Sequence, residues 1–399
     1  MITDGYYPQA RIVTDRSVLL ADVLIQGEKY KINPDAIPQE IEAKEGNSLV
    51  LFPALVDLHS RSGSPCFEAR ETLASLKECA GGGGFYRVAL EPYQPIDRLG
   101  VVDYFAGYTP HPFLLWGAVL AGEKLPEYGD FTDRVVGFAH TKPLQDLLLL
   151  RRALEYLAPY QKPVLLVPQQ AQLATGVMAE GYYALKFGLE GIPAMAETSG
   201  LASILDLVRL THCPVHILGI SCKGSLALLE QAKNEGLPVT ASVLWTHLLW
   251  NSSDLKTYNP HLRLHPPLPN PLDQTELIKA VKIGTIDGIA ISHSPYTYEE
   301  KMVPFEVAPP GTIGLQFAFS LLWSNLVTTK QLSPLELLQA TRIKPAEILG
   351  IPLTDQLFGF LPEASWQLNA QTSLSLSANT ILWQQNIKGK ILPLYNQET

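Results

Sequence analysis

Hydrophobic positions in this chain fall into short runs whose spacing changes twice along its length. Between residues 8 and 52 they alternate with polar positions in segments such as RIVT, VLLADVLIQG, KYKI and SLVLF, separated by polar turns. That two-residue period is the mark of half-buried sheet. From residue 51 onward the runs become almost wholly apolar, as strands covered on both faces do. The pattern predicts eight such strands, at 51–58, 85–90, 113–120, 135–138, 163–167, 214–218, 238–243 and 288–291. Amphipathic helices are expected between several of them, 144–157 and 224–234 among them. Eight strands alternating with helices predict an α/β protein built on a TIM-type (β/α)8 barrel. Beyond Arg342 the pattern changes again, and 366–395 returns to short strands. The two chain ends are therefore expected to combine into one small composite β-sandwich. The expected boundaries are 1–52 and 345–399 for that domain and 53–344 for the barrel.

Composition narrows the partners. Hydrophobic content of 46% and 31 prolines suit a folded, loop-rich protein with a sizeable core. A net charge of −9, with no run of Lys or Arg, argues against nucleic acid. No apolar run reaches the roughly 18 residues of a membrane span. The start MITDGYYPQARIV has neither the basic nor the apolar segment of a signal peptide, so a cytoplasmic location is expected. Cys66, Cys79, Cys213 and Cys222 never form a C-x-x-C pair, which points to neither a zinc knuckle nor a disulfide framework.

The stretch LFPALVDLHSRSGSP, from Leu51 to Pro65, delivers Asp57, His59 and Arg61 together at the end of the first barrel strand. It resembles the first strand of the amidohydrolase superfamily, whose dihydroorotases carry P-G-L-V-D-x-H-x-H-x-R-x-P-G here. Pro53, Leu55, Val56, Asp57, His59 and Pro65 match that motif. GTIDGIAISHSPYTYEEKMVPFEVAPPGTIGL and HILGISCKGSLALLEQAK resemble two further family segments, and the likeness extends over nearly the whole chain. The resemblance implies hydrolytic opening and closing of a cyclic amide. In that chemistry two zinc ions share a hydroxide, and an aspartate on the eighth strand moves the proton.

Position by position, the implied machinery is missing. Arg61 stands where the second ligand histidine belongs, and a permanent cation repels a metal. Ala139 and His140 replace two aspartates on strand 4, and VPQQ at 167–170 replaces H-x-E-D on strand 5. Gly219 replaces the strand-6 histidine, and Ser292 replaces the strand-8 aspartate. Of the substrate shell, Gly63 stands for an arginine and Tyr296 for a histidine; EPYQ replaces M-P-N-T, and HPPLP replaces N-P-P-L-R. Only His59 survives, so no catalytic set, metal or cofactor is expected. His59, Arg61, Glu91, His140, Gly219, Ser292 and His293 are expected to outline a vestigial pocket, with Glu91 as the ion-pair partner of Arg61.

Three functional readings follow from the resemblance. The leading one is an inactive homologue acting as a structural partner of aspartate transcarbamoylase in pyrimidine synthesis. The others are an enzyme with a rebuilt metal-free or one-metal pocket for another ligand, and an active dihydroorotase. His59, His140 and His293, at the ends of strands 1, 4 and 8, suit either a one-metal site or ordinary hydrogen-bonded histidines. Cys222 beside Lys223 suits either a reactive thiolate or a buried thiol, the latter favoured by the lack of a histidine partner. The glycines at 81–84 precede a strand, so a helix end and turn are expected rather than a phosphate cradle. Trp245, Trp250 and Leu248–Leu249 suit ordinary core or a hydrophobic contact patch equally; as a patch, the segment 243–255 is expected at the rim of the barrel, packed against a second copy of the chain or a transcarbamoylase.

Overall fold

The computed structural model describes residues 4–38, 41–109 and 111–396. Residues 1–3, 39–40 and 397–399, expected in the small domain, lie outside the described residues. The chain begins with β1 (Gly5–Val13), β2 (Val18–Gln26), β3 (Lys29–Ile32) and β4 (Val50–Pro53). The barrel strands follow: β5 (Leu55–Ser60), β6 (Phe85–Leu90), β7 (Phe113–Ala118), β8 (Gly137–His140) and β9 (Val164–Leu166). After a short pair, β10 (Met178–Ala179) and β11 (Gly191–Ile192), come β12 (Val215–Leu218), β13 (Val239–Leu244) and β14 (Gly288–Ala290). The chain ends with β15 (Leu357–Gln367), β16 (Asn386–Pro393) and β17 (Tyr395–Asn396).

The run at 51–58, expected as one strand, is two. β4 pairs with β1 and β15 in the small sheet, whereas β5 begins the barrel. Pro53 has no N–H to donate, and the next two amides part company: Ala54 donates to Gln356 O and Leu55 to Gly84 O. Prolines mark other strand starts as well. Pro163, Pro214 and Pro238 sit one residue before β9, β12 and β13. They donate nothing, but their carbonyls accept from Phe138, Val164 and Val215 on the preceding strand. Of the expected helices, the first runs Leu147–Leu157, with the Asp146 side chain accepting from Leu149 N at 2.9 Å, and the second runs Lys223–Asn234.

Eight parallel strands run in the order β14-β13-β12-β9-β8-β7-β6-β5. The seam between β14 and β5 is closed by backbone bonds just past the strand ends, Ser292 N to His59 O at 2.7 Å and Arg61 N to His293 O at 2.8 Å. The Asp57 carboxylate adds a third link, accepting from Ile291 N at 2.8 Å and from Ser60 Oγ at 2.5 Å. The barrel interior is filled by alternate inward residues, Leu58, Trp116, Leu165 and Leu218 among them, so it is packed core rather than a channel.

The small domain is one seven-stranded sheet, β16-β15-β4-β1-β2-β3-β17. β16 and β17 occupy opposite edges of that order, yet one residue separates them along the chain. The sheet must therefore curl until its edges meet, folding over its own core of Tyr7, Ile12, Val23, Ile25 and Leu51. Between β15 and β16 an arm reaches to the barrel. Its buried Asn379 donates to Ser294 O at 2.9 Å and accepts from Tyr296 N at 3.3 Å. No helix among the described residues is long and apolar enough to cross a membrane.

Candidate functional site

Barrel architecture gathers the ends of all eight strands on one face, and the alternation of side chains decides which end residues meet. β5 leaves regular register with β6 between Asp57 and Ser60, and past that irregularity His59 and Arg61 both line the cavity. His59 Nε2 lies 2.8 Å from Glu91 Oε2, and His59 Nδ1 lies 3.1 Å from Ser292 Oγ. Arg61 Nη2 stands 3.2 Å from the same Glu91 oxygen and donates to Thr141 Oγ1 at 2.6 Å. Thr141 Oγ1 in turn donates to Glu91 Oε2 at 2.8 Å. The Arg61 guanidinium also lies 5.3 Å from the Tyr93 ring centroid, a cation–π contact.

Charge states follow from this network. Burial alone would raise the Glu91 carboxyl, but the Arg61 charge and the hydrogen bonds from His59 and Thr141 outweigh it and hold it at about 2. Burial lowers the His59 imidazole, and Glu91 offsets only part of that effect. The ring is therefore neutral. Because the carboxylate can only accept, the proton sits on Nε2 and leaves Nδ1 to accept from Ser292.

Of the seven residues singled out in the sequence, four meet: His59, Arg61, Glu91 and Ser292. The other three do not join them. His140 ends β8, but it is the next residue, Thr141, that faces the cavity. Burial lowers the His140 imidazole, and it makes no side-chain hydrogen bond among the described residues. His293, adjacent to Ser292, points the other way. Its Nδ1 accepts from Gly314 N at 3.2 Å, and its Nε2 sits 3.4 Å from Glu71 Oε2 without hydrogen-bond alignment. Burial pushes the Glu71 carboxyl up, yet His293 and the hydroxyls of Ser375 and Ser75 hold it below its usual range. The three histidines therefore do not converge on one metal.

Gly219 has φ +79°, and a Cβ built there would lie 2.9 Å from Pro266 Cδ. Both the left-handed backbone and the close proline favour glycine over a histidine ligand. Thr141, Tyr93 and His265 also line the cavity, and sequence reasoning passed over their roles. All three had a signal, since each lies in or directly beside a stretch already compared with the family.

The remaining sequence signals resolve as structure. Cys222 is buried against Glu197 and Ser225, and burial, with the Glu197 charge, pushes its thiol up to about 12. It is no thiolate. The helix Leu73–Gly82 ends at Gly83, and Gly84 turns with φ +83° into β6. Of the two tryptophans expected at a contact surface, Trp245 is taken into the core and Trp250 is half-buried. Residues Trp245–Leu249 form a short helix, Trp245 is 1% exposed, and its ring packs 5.4 Å from Trp250 and 5.9 Å from Phe317. The short helix turns Trp245 into the core and leaves Trp250 half-buried against it.

A parallel eight-stranded barrel with a curled sheet beside it, and polar residues gathered at the strand ends, defines an amidohydrolase-type protein. The chain belongs to the dihydroorotase family of that superfamily. It is 35% identical to a probable dihydroorotase-like protein from Synechocystis, over 93% of this chain and 92% of the relative. It is 33% identical to the dihydroorotase of Pelotomaculum thermopropionicum, over 86% of this chain and 82% of that one, and 31% identical to the dihydroorotase of Aquifex aeolicus, over 93% and 92%. Among solved structures it is similar to the L-hydantoinase (dihydropyrimidinase) from Arthrobacter aurescens, with TM-score 0.79 and 18% identity over 98% of this chain and 94% of that chain. The D-hydantoinase from a Thermus species gives TM-score 0.75 at 18% identity, over 97% and 92%. At that identity the likeness shows the fold alone. No protein-family model matches the chain.

The family implies zinc, and the residues here do not fit a zinc pair. Both nitrogens of His59 are engaged, the one carboxylate bonded to it among the described residues is neutralised by Arg61, and the strand-5 and strand-6 ends offer Val167 and Leu218 to the cavity. A divalent pair needs several imidazoles and carboxylates converging, not an arginine among aliphatic side chains.

Proposed function

We propose that this protein is a dihydroorotase-like component of pyrimidine biosynthesis that does not catalyse the hydrolysis and serves in the cytoplasm as a structural partner of aspartate transcarbamoylase. The observation that carries the non-catalytic part is the Arg61–Glu91 pair. A guanidinium bonded into the strand-1 and strand-2 ends holds the positive charge that a metal would otherwise supply, and it leaves no carboxylate for one. The partner rests on the family resemblance. What supports a scaffold role is that the seam and the cavity wall are held by buried polar links, such as Asp57 to Ile291 and Asn379 to Ser294, that need no catalysis.

Size-exclusion chromatography of this protein mixed with aspartate transcarbamoylase tests the partner directly. Co-elution in one peak at micromolar concentrations supports it, and separate elution at every ratio overturns it. A second reading, a metal-free pocket for another ligand, is favoured by one observation: a cavity of ≈ 260 Å³ persists at the strand ends.

A further inference from the structure

The lining of that cavity is unlike a site for a charged substrate. One wall is aliphatic, made by Val167 after β9, Leu218 of β12, Leu244 of β13 and Leu264. The opposite wall carries Arg61, whose charge is already matched by Glu91 at 3.2 Å. Arg70, above the Tyr93 and Tyr296 rings, is matched as well, its Nε donating to Glu300 Oε1 at 3.0 Å. Burial keeps His59 neutral and pushes His265 down to about 4, so neither imidazole adds a charge at neutral pH. The lining therefore sums to zero.

Arg61 nonetheless keeps hydrogen-bonding capacity. Its Nη2 is engaged with Thr141, whereas its Nε and Nη1 make no hydrogen bond among the described residues, and the side chain is 23% exposed. Free N–H donors facing an aliphatic wall set the chemistry of an occupant. An anion would meet in Arg61 a lining cation whose charge is already matched, and a buried unpaired charge is costly. A wholly apolar molecule would leave the guanidinium donors covered and unsatisfied. The volume, below the range for drug-sized ligands, limits the occupant to a small molecule.

We infer that the cavity is a binding site for a small neutral molecule with a carbonyl acceptor at one end, taken by Arg61, and an apolar body against Leu218 and Leu244. The inference rests on the metal-free reading of the pocket and goes beyond it by naming the ligand class.

Cyclohexanecarboxamide and cyclohexanecarboxylate make a matched pair of probes, equal in shape and differing in charge. Ligand-detected NMR titration of the full-length protein at neutral pH is expected to show the amide binding roughly tenfold or more tighter than the carboxylate. Leu218→Phe and, independently, Val167→Phe should abolish amide binding by filling the cavity from two different strands. Thermal denaturation checks that each variant is folded, and the wild-type comparison stands without either. Equal or tighter binding of the carboxylate overturns the inference, as does absence of amide binding or amide binding unchanged in both folded variants. Zinc content and dihydroorotate turnover, measured on the same preparation, report separately on the metal-free reading, so the two can fail independently.

Discussion

Arg61 Nη2 stands 3.2 Å from Glu91 Oε2, across the ends of two adjacent barrel strands, with side-chain exposures of 23% and 17%. A cation and a carboxylate held this far from solvent depend on each other, since removing one strands the other. Arg61→Met is expected to destabilise the fold by about 2–3 kcal/mol, somewhat below a fully buried pair because the guanidinium is partly wet. Urea unfolding at neutral pH measures it, and an unchanged midpoint would mean that the pair adds nothing.

Acid should expose the same pair. Glu91 is held at about 2 against an ordinary value of 4.5, so the folded state binds its proton less readily than the unfolded chain. Its stabilisation is complete above 4.5 and is lost as pH falls from 4.5 toward 2. Arg61→Met removes the largest opposing charge, and its stability should fall less steeply over that window than the wild type's.

Asp57 should behave in the opposite sense. Burial raises this carboxyl to about 7 from 3.8, although bonds from Ser60, Ile291 and the His59 and Leu58 amides act against the shift. A raised folded value means stability that is full below 3.8 and declines as pH rises through about 7. Asp57→Asn, which can still accept from Ile291 N, should flatten that decline. Asp57→Ala removes the decline as well but leaves the seam amide unpaired, and is expected to lie about 2 kcal/mol below Asp57→Asn at any pH. Matched pH–stability curves for the three proteins test both statements.

Much of this fold was open to a reader of the sequence. Eight apolar runs, several of them separated by amphipathic helices, mark a barrel because buried parallel strands have few other ways to look. The break at Ala54 was hidden, since both halves of 51–58 are equally apolar and only their partners differ. In the site, the side-chain period was the available signal. Ser292 and His293 are neighbours, so if one meets His59 the other must turn away; the same holds for His140 and Thr141. The left-handed backbone of Gly219 and the inward fold of the Trp245 helix depend on Pro266 and Phe317, distant in sequence, and no local pattern announced them.

The tryptophans provide a test of whether this segment meets another chain. Trp250→Ala is expected to lower stability by about 2 kcal/mol, because it opens space beside Trp245, and to leave the mass by light scattering unchanged. A change of mass without loss of stability would return Trp250 to an interface.

Cysteine labelling discriminates the thiols. Cys66 is exposed, whereas Cys79, Cys213 and Cys222 are buried, the last two with thiols pushed up to about 12. Iodoacetamide at neutral pH should modify Cys66 alone in the native protein, and rapid alkylation of Cys222 would mean a thiolate there.

The most direct test of the central claim, that an arginine–glutamate pair has replaced the metal centre, is elemental analysis of the purified protein alongside a dihydroorotate hydrolysis assay, repeated after incubation with excess zinc. The expected result is less than about one equivalent of zinc per chain and no turnover, for the wild type and for Arg61→His alike, since residues acting as a unit are not restored singly. Two tightly held zinc ions per chain with measurable turnover in the wild type would contradict it.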